Sequence, residues 1–295
     1  MSHVKIGVIF STPIPTSTNR LLIDELRGRG IDTIPIPLHV LELKLGENTL
    51  ELNMRGEPIE LDAALLRGLG AVISLDQYLV RTCMLKAMEE IGVRLVNNLN
   101  AFLKSRNKIL TLLSLHRKGV PTPLTIVSEN LKRLYESSKT MAPFVVKPCM
   151  GSRGYGMSIA YDHDVLFQIC RHLLSTGVVP LIQRYVNKPQ RDIRAFVIGD
   201  EVVASMYRFS QFWKTNIAQG AKAKPLKLNE ELSELAISAC KALGLEYGGV
   251  DIAEEGENYF VLEVNGSPDF EKLMQVTGVN IPALLIDYLI DLIRK

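Results

Sequence analysis

The sequence predicts an α/β (α+β) chain built from an open α/β N-terminal domain, a small central α+β subdomain and a C-terminal antiparallel-sheet subdomain. Three observations carry this expectation. Apolar strand-like runs alternate with helical patterns as far as about residue 97. Short strands flank a glycine-rich loop in the middle of the chain. The last third holds long β-branched runs joined by Gly199-Asp200 and by an acidic turn, both hairpin signals. A chain of 295 residues with 47% apolar content can bury two or three cores. The expected boundaries are 1–97, 98–180 and 181–295.

Taken in order, Lys5 to Phe10 reads as a buried strand, followed by a helix from about Thr18 to Arg29 that stops at Gly30. Ile31 to Leu38 begins the next strand. Ala63 to Leu66, a helix near Gln77 to Ile91 and Arg94 to Asn97 continue the alternation. One helix is expected from Leu99 to Arg117, ended by Lys118-Gly119 and the Pro121-Thr122-Pro123 break. The central unit then reads as Leu124 to Val127, a helix near Asn130 to Ser138, Phe144 to Lys147, a glycine-rich loop, Met157 to Ala160, and a helix from Asp164 to Ser175. The last third opens at Leu181 to Val186. It continues with strands Asp192 to Ile198 and Glu201 to Tyr207, a helix Glu230 to Leu243, an acidic hairpin, and an amphipathic helix Ile281 to Ile293.

Composition narrows the function. A formal charge of +2 argues against a nucleic-acid binder held by bulk charge, though a local basic groove for an anion stays open. The N-terminus lacks the pattern of a signal peptide, and no segment reaches membrane-span length, so a cytoplasmic protein without membrane contact is expected. Cys83, Cys149, Cys170 and Cys240 show no CxxC spacing, which indicates neither zinc nor a disulfide framework. A homo-oligomer is expected.

Three features carry chemistry. In the hairpin from Val250 to Asn265, alternation places Glu263 and Asn265 on one face and the turn brings Asp251 beside them. Three oxygen ligands suit a hard cation such as Mg²⁺, while the other reading is a solvated acidic turn. Lys147, followed by Gly151-Ser152-Arg153-Gly154-Tyr155-Gly156, reads as a strand-ending lysine and a phosphate-covering flap. The spacing fits neither a Walker loop nor a dinucleotide fingerprint. A flexible hairpin turn is its alternative. Arg191-Asp192-Ile193-Arg194 and Arg208 suit phosphate or developing negative charge, or else cross-strand ion pairs.

These motifs, in this order, resemble the ATP-grasp superfamily and specifically its RimK-type amino-acid ligases. The resemblance runs from about Asn97 to the C-terminus. It rests on Arg106-Asn107-Lys108, Val145-Val146-Lys147-Pro148, the glycine loop, Arg191 to Arg194, Gly199 to Ala204, Lys214-Thr215-Asn216, Gly249-Val250-Asp251 and Glu263 to Pro268. It implies an ATP-grasp fold preceded by a pre-ATP-grasp domain, and an ADP-forming acid–amino-acid ligase. Lys108 and Lys147 would then contact ATP phosphates beneath Gly151, Ser152, Arg153, Gly154 and Gly156. Asp251, Glu263 and Asn265 would hold two Mg²⁺ or Mn²⁺ ions. Arg208 and Asn216 would be catalytic, facing the γ-phosphate and the reacting carboxyl, and Asn216, Asp192 and Lys214 would contact nucleotide. Gln183-Arg184-Tyr185-Val186 matches the adenine hinge, with Arg184 where the family usually has Glu.

Within the family the chain looks most like archaeal enzymes that add L-glutamate to the glutamyl tail of a pterin coenzyme, the conversion of tetrahydromethanopterin to tetrahydrosarcinapterin type. Phe209, Phe212 and Trp213 are candidate groove walls for such an acceptor, or packing residues. The LysX-type ligases of a carrier protein, deazaflavin-coenzyme glutamate ligases and ribosomal-protein glutamate ligases share the scaffold. A non-catalytic ATP-binding scaffold is the alternative of a different class.

Overall fold

The computed structural model describes residues 4–149, 156–215 and 220–294. The elements, in chain order, are β1 (Lys5–Phe10), α1 (Ser17–Gly28), β2 (Asp32–Pro37), β3 (Leu41–Gly46), β4 (Thr49–Met54), β5 (Glu57–Pro58), β6 (Ala63–Leu66), α2 (Leu75–Glu90) and β7 (Arg94–Val96). Next come α3 (Leu99–Arg106), α4 (Lys108–Arg117), β8 (Thr125–Val127), α5 (Leu131–Ser137), β9 (Phe144–Pro148), β10 (Ser158–Ala160), α6 (His163–Ser175) and β11 (Pro180–Arg184). The remainder is β12 (Arg191–Ile198), β13 (Glu201–Phe209), β14 (Lys222–Pro225), α7 (Glu230–Leu243), β15 (Tyr247–Glu255), β16 (Asn258–Asn265), α8 (Glu271–Thr277) and α9 (Ile281–Arg294).

Three sheets frame the molecule. Apolar β1 and β6 pair in parallel in a sheet of order β2-β1-β6-β7, the arrangement expected when helices cover both faces. The central sheet runs β10-β9-β11-β8, and Pro180–Arg184 pairs with β9 and β8 there. The C-terminal sheet runs β14-β13-β12-β15-β16 and is antiparallel throughout. A small hairpin sheet, β3-β4-β5, has no counterpart among the sequence expectations, and neither do β14 and α8.

The first and last sheets share one core. Val8 and Phe10 of β1, Leu22 and Leu26 of α1, Phe196 of β12, Tyr247 of β15 and Leu285 and Leu289 of α9 are all buried in a single cluster. Each such side chain contributes about 1.5–3 kcal/mol by leaving water. The other face of the C-terminal sheet is covered by α7, whose Leu232, Ala236, Ala239 and Leu243 form a stripe at helical spacing against Ile193, Val250 and Val264. The apolar C-terminal helices are thus consumed by core packing. Among the described residues no single helix is long and apolar enough to cross a membrane.

One expectation needs correction. The helix drawn from Leu99 to Arg117 is two helices, broken at Asn107, whose backbone is extended at φ −101°, ψ 106°. The Asn107 side chain accepts from Ile109 N at 3.0 Å and Leu110 N at 3.1 Å, so it caps the second helix instead of continuing the first. Lys108 therefore begins α4, and its backbone N–H reaches Cys149 O at the end of β9, 3.3 Å away.

Buried Asn97 joins the N-terminal domain to the last sheet. Its Nδ2 donates to Tyr247 O at 2.8 Å and Gly266 O at 2.7 Å, and its Oδ1 accepts from Glu246 N at 2.6 Å and Tyr247 N at 3.2 Å. Every polar atom of the side chain is satisfied, as burial requires.

Candidate active site

The hairpin β15–β16 turns at Gly256-Glu257 and pairs Asp251 with Glu263 and Gly249 with Asn265. Because side chains alternate along a strand, Glu263 and Asn265 lie on one face, and a register shift follows directly after Asp251. Gly249 is required for close approach. A Cβ there would lie 2.5 Å from Arg194 Nη1 and 2.8 Å from Pro268 Cβ.

Asp251 and Glu263 form one end of a cleft of about 700 Å³, open mouth included. Its lining includes six cationic side chains (Lys108, Lys147, Arg184, Lys188, Arg208, Lys214) against three carboxylates, Asp192, Asp251 and Glu263. The surplus of positive charge in a partly desolvated cleft suits a polyanion. Val145, Met157, Tyr185, Val186 and Trp213 give another part of the lining an apolar wall. Asn265 lies outside this lining, two residues beyond Glu263 on the same strand.

A continuous polar chain runs beneath the cleft. Antiparallel register sets Asp192 opposite Arg208 and Arg194 opposite Asp251. Arg208 donates from Nε and Nη2 to the two oxygens of Asp192, each at 2.7 Å, and its Nη2 is 3.1 Å from Asp251 Oδ2. Arg194 Nε lies 2.7 Å from Asp251 Oδ1, and its Nη2 donates to Oδ2 at 3.2 Å. The first of these contacts is an ion pair without hydrogen-bond alignment, so Oδ1 is left without a directed donor. Thr215 donates to Asp192, and Lys188 Nζ donates to Thr215 Oγ1 at 2.9 Å. Burial works against the Arg208 charge, but Asp251 and Asp192 outweigh it and hold its pKa above the ordinary value. Burial pushes the Asp251 carboxyl upward, with Arg194 and Arg208 opposing.

The two expected phosphate lysines both line the cleft. Lys147, next to last in β9, has its Nζ 2.6 Å from Gln183 Oε1, and Gln183 is itself oriented by Thr125 Oγ1 at 2.9 Å. Desolvation lowers the Lys147 pKa to about 8, an effect that Glu263 partly offsets and Lys108 reinforces. Lys188 is lowered as well, first by burial, with Asp192 opposing.

At the hinge, Arg184 directs its guanidinium out of line with the strand to Glu255, with Nη1–Oε1 at 3.0 Å and Nη2–Oε2 at 2.9 Å, and packs over the Phe260 ring at 5.2 Å. The side chain that departs from the family's usual Glu thus ties the hinge to the carboxylate hairpin. Tyr185 N–H is taken by Pro143 O at 3.0 Å and Val186 O by Lys188 N at 2.8 Å, whereas Val186 N–H has no intramolecular acceptor among the described residues. Lys214 Nζ sits 5.0 Å from the Trp213 ring centroid. Of the candidate groove walls, Trp213 lines the cleft, Phe209 packs against Tyr207 and Lys224, and Phe212 is 75% exposed. Gly156 has φ +72°, while Gly151, Ser152, Arg153, Gly154 and Asn216 lie outside the described residues.

Sequence reasoning gave no role to Lys188, Gln183 or Thr215. Arg194, expected to meet phosphate or to form a cross-strand ion pair, pairs across the sheet with Asp251. Lys188 carried no signal, lying in an irregular connection after the hinge.

The donor set fits a hard divalent cation. Asp251, Glu263 and Asn265 offer oxygen only, and Asp251 Oδ1 is buried with no directed donor. No group of three His, Cys, Asp or Glu able to hold a metal occurs among the described residues, so further ligands would come from phosphate and water.

The sequence pattern of the RimK-like ATP-grasp domain matches residues 105–289. Alpha-aminoadipate–LysW ligase LysX of Sulfurisphaera tokodaii is 37% identical over 214 residues, covering 70% of this chain and 75% of that protein. Tetrahydromethanopterin:alpha-L-glutamate ligase of Methanococcus maripaludis is 32% identical over 274 residues, 90% of this chain and 92% of its own. Among solved structures, the ATP-grasp ligase PsnB complexed with a minimal precursor superposes with a TM-score of 0.76 at 22% identity, covering 99% of both chains. That likeness establishes the fold.

Proposed function

The chain belongs to the RimK-like ATP-grasp family of ligases, and from that premise we propose that it adds L-glutamate to a glutamyl-tailed pterin coenzyme through an acylphosphate. The observation that carries the chemistry is the meeting of a carboxylate pair and six cationic side chains, two of them buried, in one cleft with an apolar wall. ATP would lie with adenine against Tyr185, Val186 and Met157, where Val186 N–H is available as a donor. Its phosphates would meet Lys108 and Lys147, the latter held in place by Gln183.

Asp251, Glu263 and Asn265 would hold two Mg²⁺ or Mn²⁺ ions, which when bound neutralise phosphate charge and polarise the γ-phosphoryl group. An acceptor carboxylate oxygen attacks the γ-phosphorus, the bond to the bridging oxygen breaks, and ADP leaves with its electron pair. The amino group of glutamate then attacks the acyl carbon, phosphate departs, and one proton is lost to give the amide. Arg208, braced by Asp192, presents a fixed cation for the oxyanion formed in that second step. Positioning and charge suffice, so no nucleophilic side chain is needed.

A second reading, transfer to a carrier protein, draws support from the 37% identity to LysX and from exposed Lys222 and Lys224 on edge strand β14, a face suited to an acidic partner. The deciding experiment supplies ATP, Mg²⁺, glutamate and each acceptor and reads product mass. The pterin reading requires one glutamyl unit on the pterin tail. Joining only to an acidic carrier protein refutes it.

A further inference from the structure

Outside the nucleotide cleft, three arginines converge on the loop Arg67–Gly70, where β6 ends at the carboxyl edge of the parallel sheet. Arg106 Nη2 donates to Gly70 O at 2.8 Å, and Arg81 Nη1 donates to Leu69 O. Arg67 donates to Pro268 O at 2.9 Å, Tyr247 Oη at 3.2 Å and Asn19 Oδ1 at 3.4 Å. All of these acceptors are neutral. None of the three guanidiniums forms an ion pair among the described residues, whereas Arg208 in the cleft and Arg194 beneath it each have carboxylates.

Arg106 is the least satisfied of them. Its Nε is shielded from solvent and meets no acceptor among the described residues. Burial lowers its pKa, and no carboxylate lies close enough to offset that. A guanidinium taken out of water without an anion is costly, and a bound anion would offset that cost. The loop that Arg106 reaches from the end of α3 follows the carboxyl end of β6, the usual binding side of an open parallel sheet. Ser105, its neighbour in sequence, lines an extension of the cleft together with Lys108, Lys147 and Glu263. The loop is also bonded to the segment following Asn265, since Ser267 Oγ donates to Arg67 O at 2.8 Å.

We propose that Arg106, with Arg81 beside it, binds a substrate carboxylate that is not activated, and so selects acidic substrates. The planar fork of arginine matches a carboxylate in geometry and charge. This inference rests on the ligase reading above. The carboxylate belongs either to the incoming amino acid or to the acceptor tail.

The test is calorimetric titration of the ADP- and Mg²⁺-loaded full chain, as wild type, Arg106→Gln and Arg106→Lys, with L-glutamate and with glutarate. The expected result is at least a tenfold loss of affinity in Arg106→Gln, partial recovery in Arg106→Lys, and unchanged ADP affinity. Loss for L-glutamate alone assigns the site to the amino acid, and loss for glutarate alone assigns it to the acceptor. Unchanged affinity for both probes, no binding of either by the wild type, or an equal loss of ADP affinity overturns the proposal. Failure of the ligase reading shows separately, as carboxylate binding without any joined product in the presence of ATP.

Discussion

Lys147 offers a quantitative test of how function is built into the core of the central sheet. Its side chain is buried, and burial lowers its pKa from the ordinary 10.5 to about 8. The folded protein therefore holds this proton less tightly than the unfolded chain does. Below pH 8 both states carry the charge, and the fold bears a cost of about 3 kcal/mol. As pH rises from 8 towards 10.5 the cost is relieved, by about 2 kcal/mol at pH 9.5. Lys147→Met removes the buried charge but strands Gln183 Oε1, which the ammonium meets at 2.6 Å, at a cost of about 1 kcal/mol. The variant should thus be about 1–2 kcal/mol more stable than wild type at pH 7, with that advantage gone at pH 9.5. ATP affinity should fall by about one to two orders of magnitude, the worth of a charge-assisted phosphate contact. Urea unfolding at both pH values, paired with ATP calorimetry at pH 7, measures each quantity. A variant destabilised by more than about 1 kcal/mol at pH 7, or a difference that ignores pH, would refute the reasoning.

Other perturbations give separate readouts. Asn97→Ala leaves two buried carbonyls and two amide N–H groups without their partner and should cost about 3 kcal/mol, seen as a lower urea midpoint; a loss below about 1 kcal/mol would deny Asn97 its bridging role. Gly249→Ala puts a methyl against Arg194 and Pro268 and should reduce kcat for ADP release at least tenfold, an outcome contradicted by unchanged turnover. In a double-mutant cycle of Arg184→Ala and Glu255→Gln, the half-exposed pair should couple by about 1 kcal/mol or less, with the KM for ATP nearly constant. A large rise in that KM would instead place the Arg184 side chain on the nucleotide.

Much of the site is legible in the sequence because local rules govern it. Alternation along Tyr259–Asn265 decides that Glu263 and Asn265 share a face, and Gly256-Glu257 closes the hairpin that sets Asp251 opposite Glu263. Lys147 comes at the end of an apolar strand just before a glycine-rich segment, a pattern that suits phosphate contact and also a flexible hairpin turn. The break at Asn107 escaped the same rules, because helical periodicity continues across it and the asparagine acts through a cap that only the emerging geometry reveals. Edge strand β14 was equally hidden, since Lys222–Pro225 carries no apolar alternation and is held only by pairing with β13.

By itself the sequence determined the main strands and helices of each sheet, the family, and the residue types that can hold phosphate and a hard cation. Those are properties of neighbours a few positions apart, where strand period, turn chemistry and charge act directly. Tertiary structure decided which charges are paired. It set Arg208 between Asp192 and Asp251, turned Arg184 away to Glu255, brought Lys188 to Thr215, and left Arg106 against a neutral carbonyl. The physical reason is that an ion's energy depends on what surrounds it in space and how much water remains, and sheet register fixes both across separations of tens of residues.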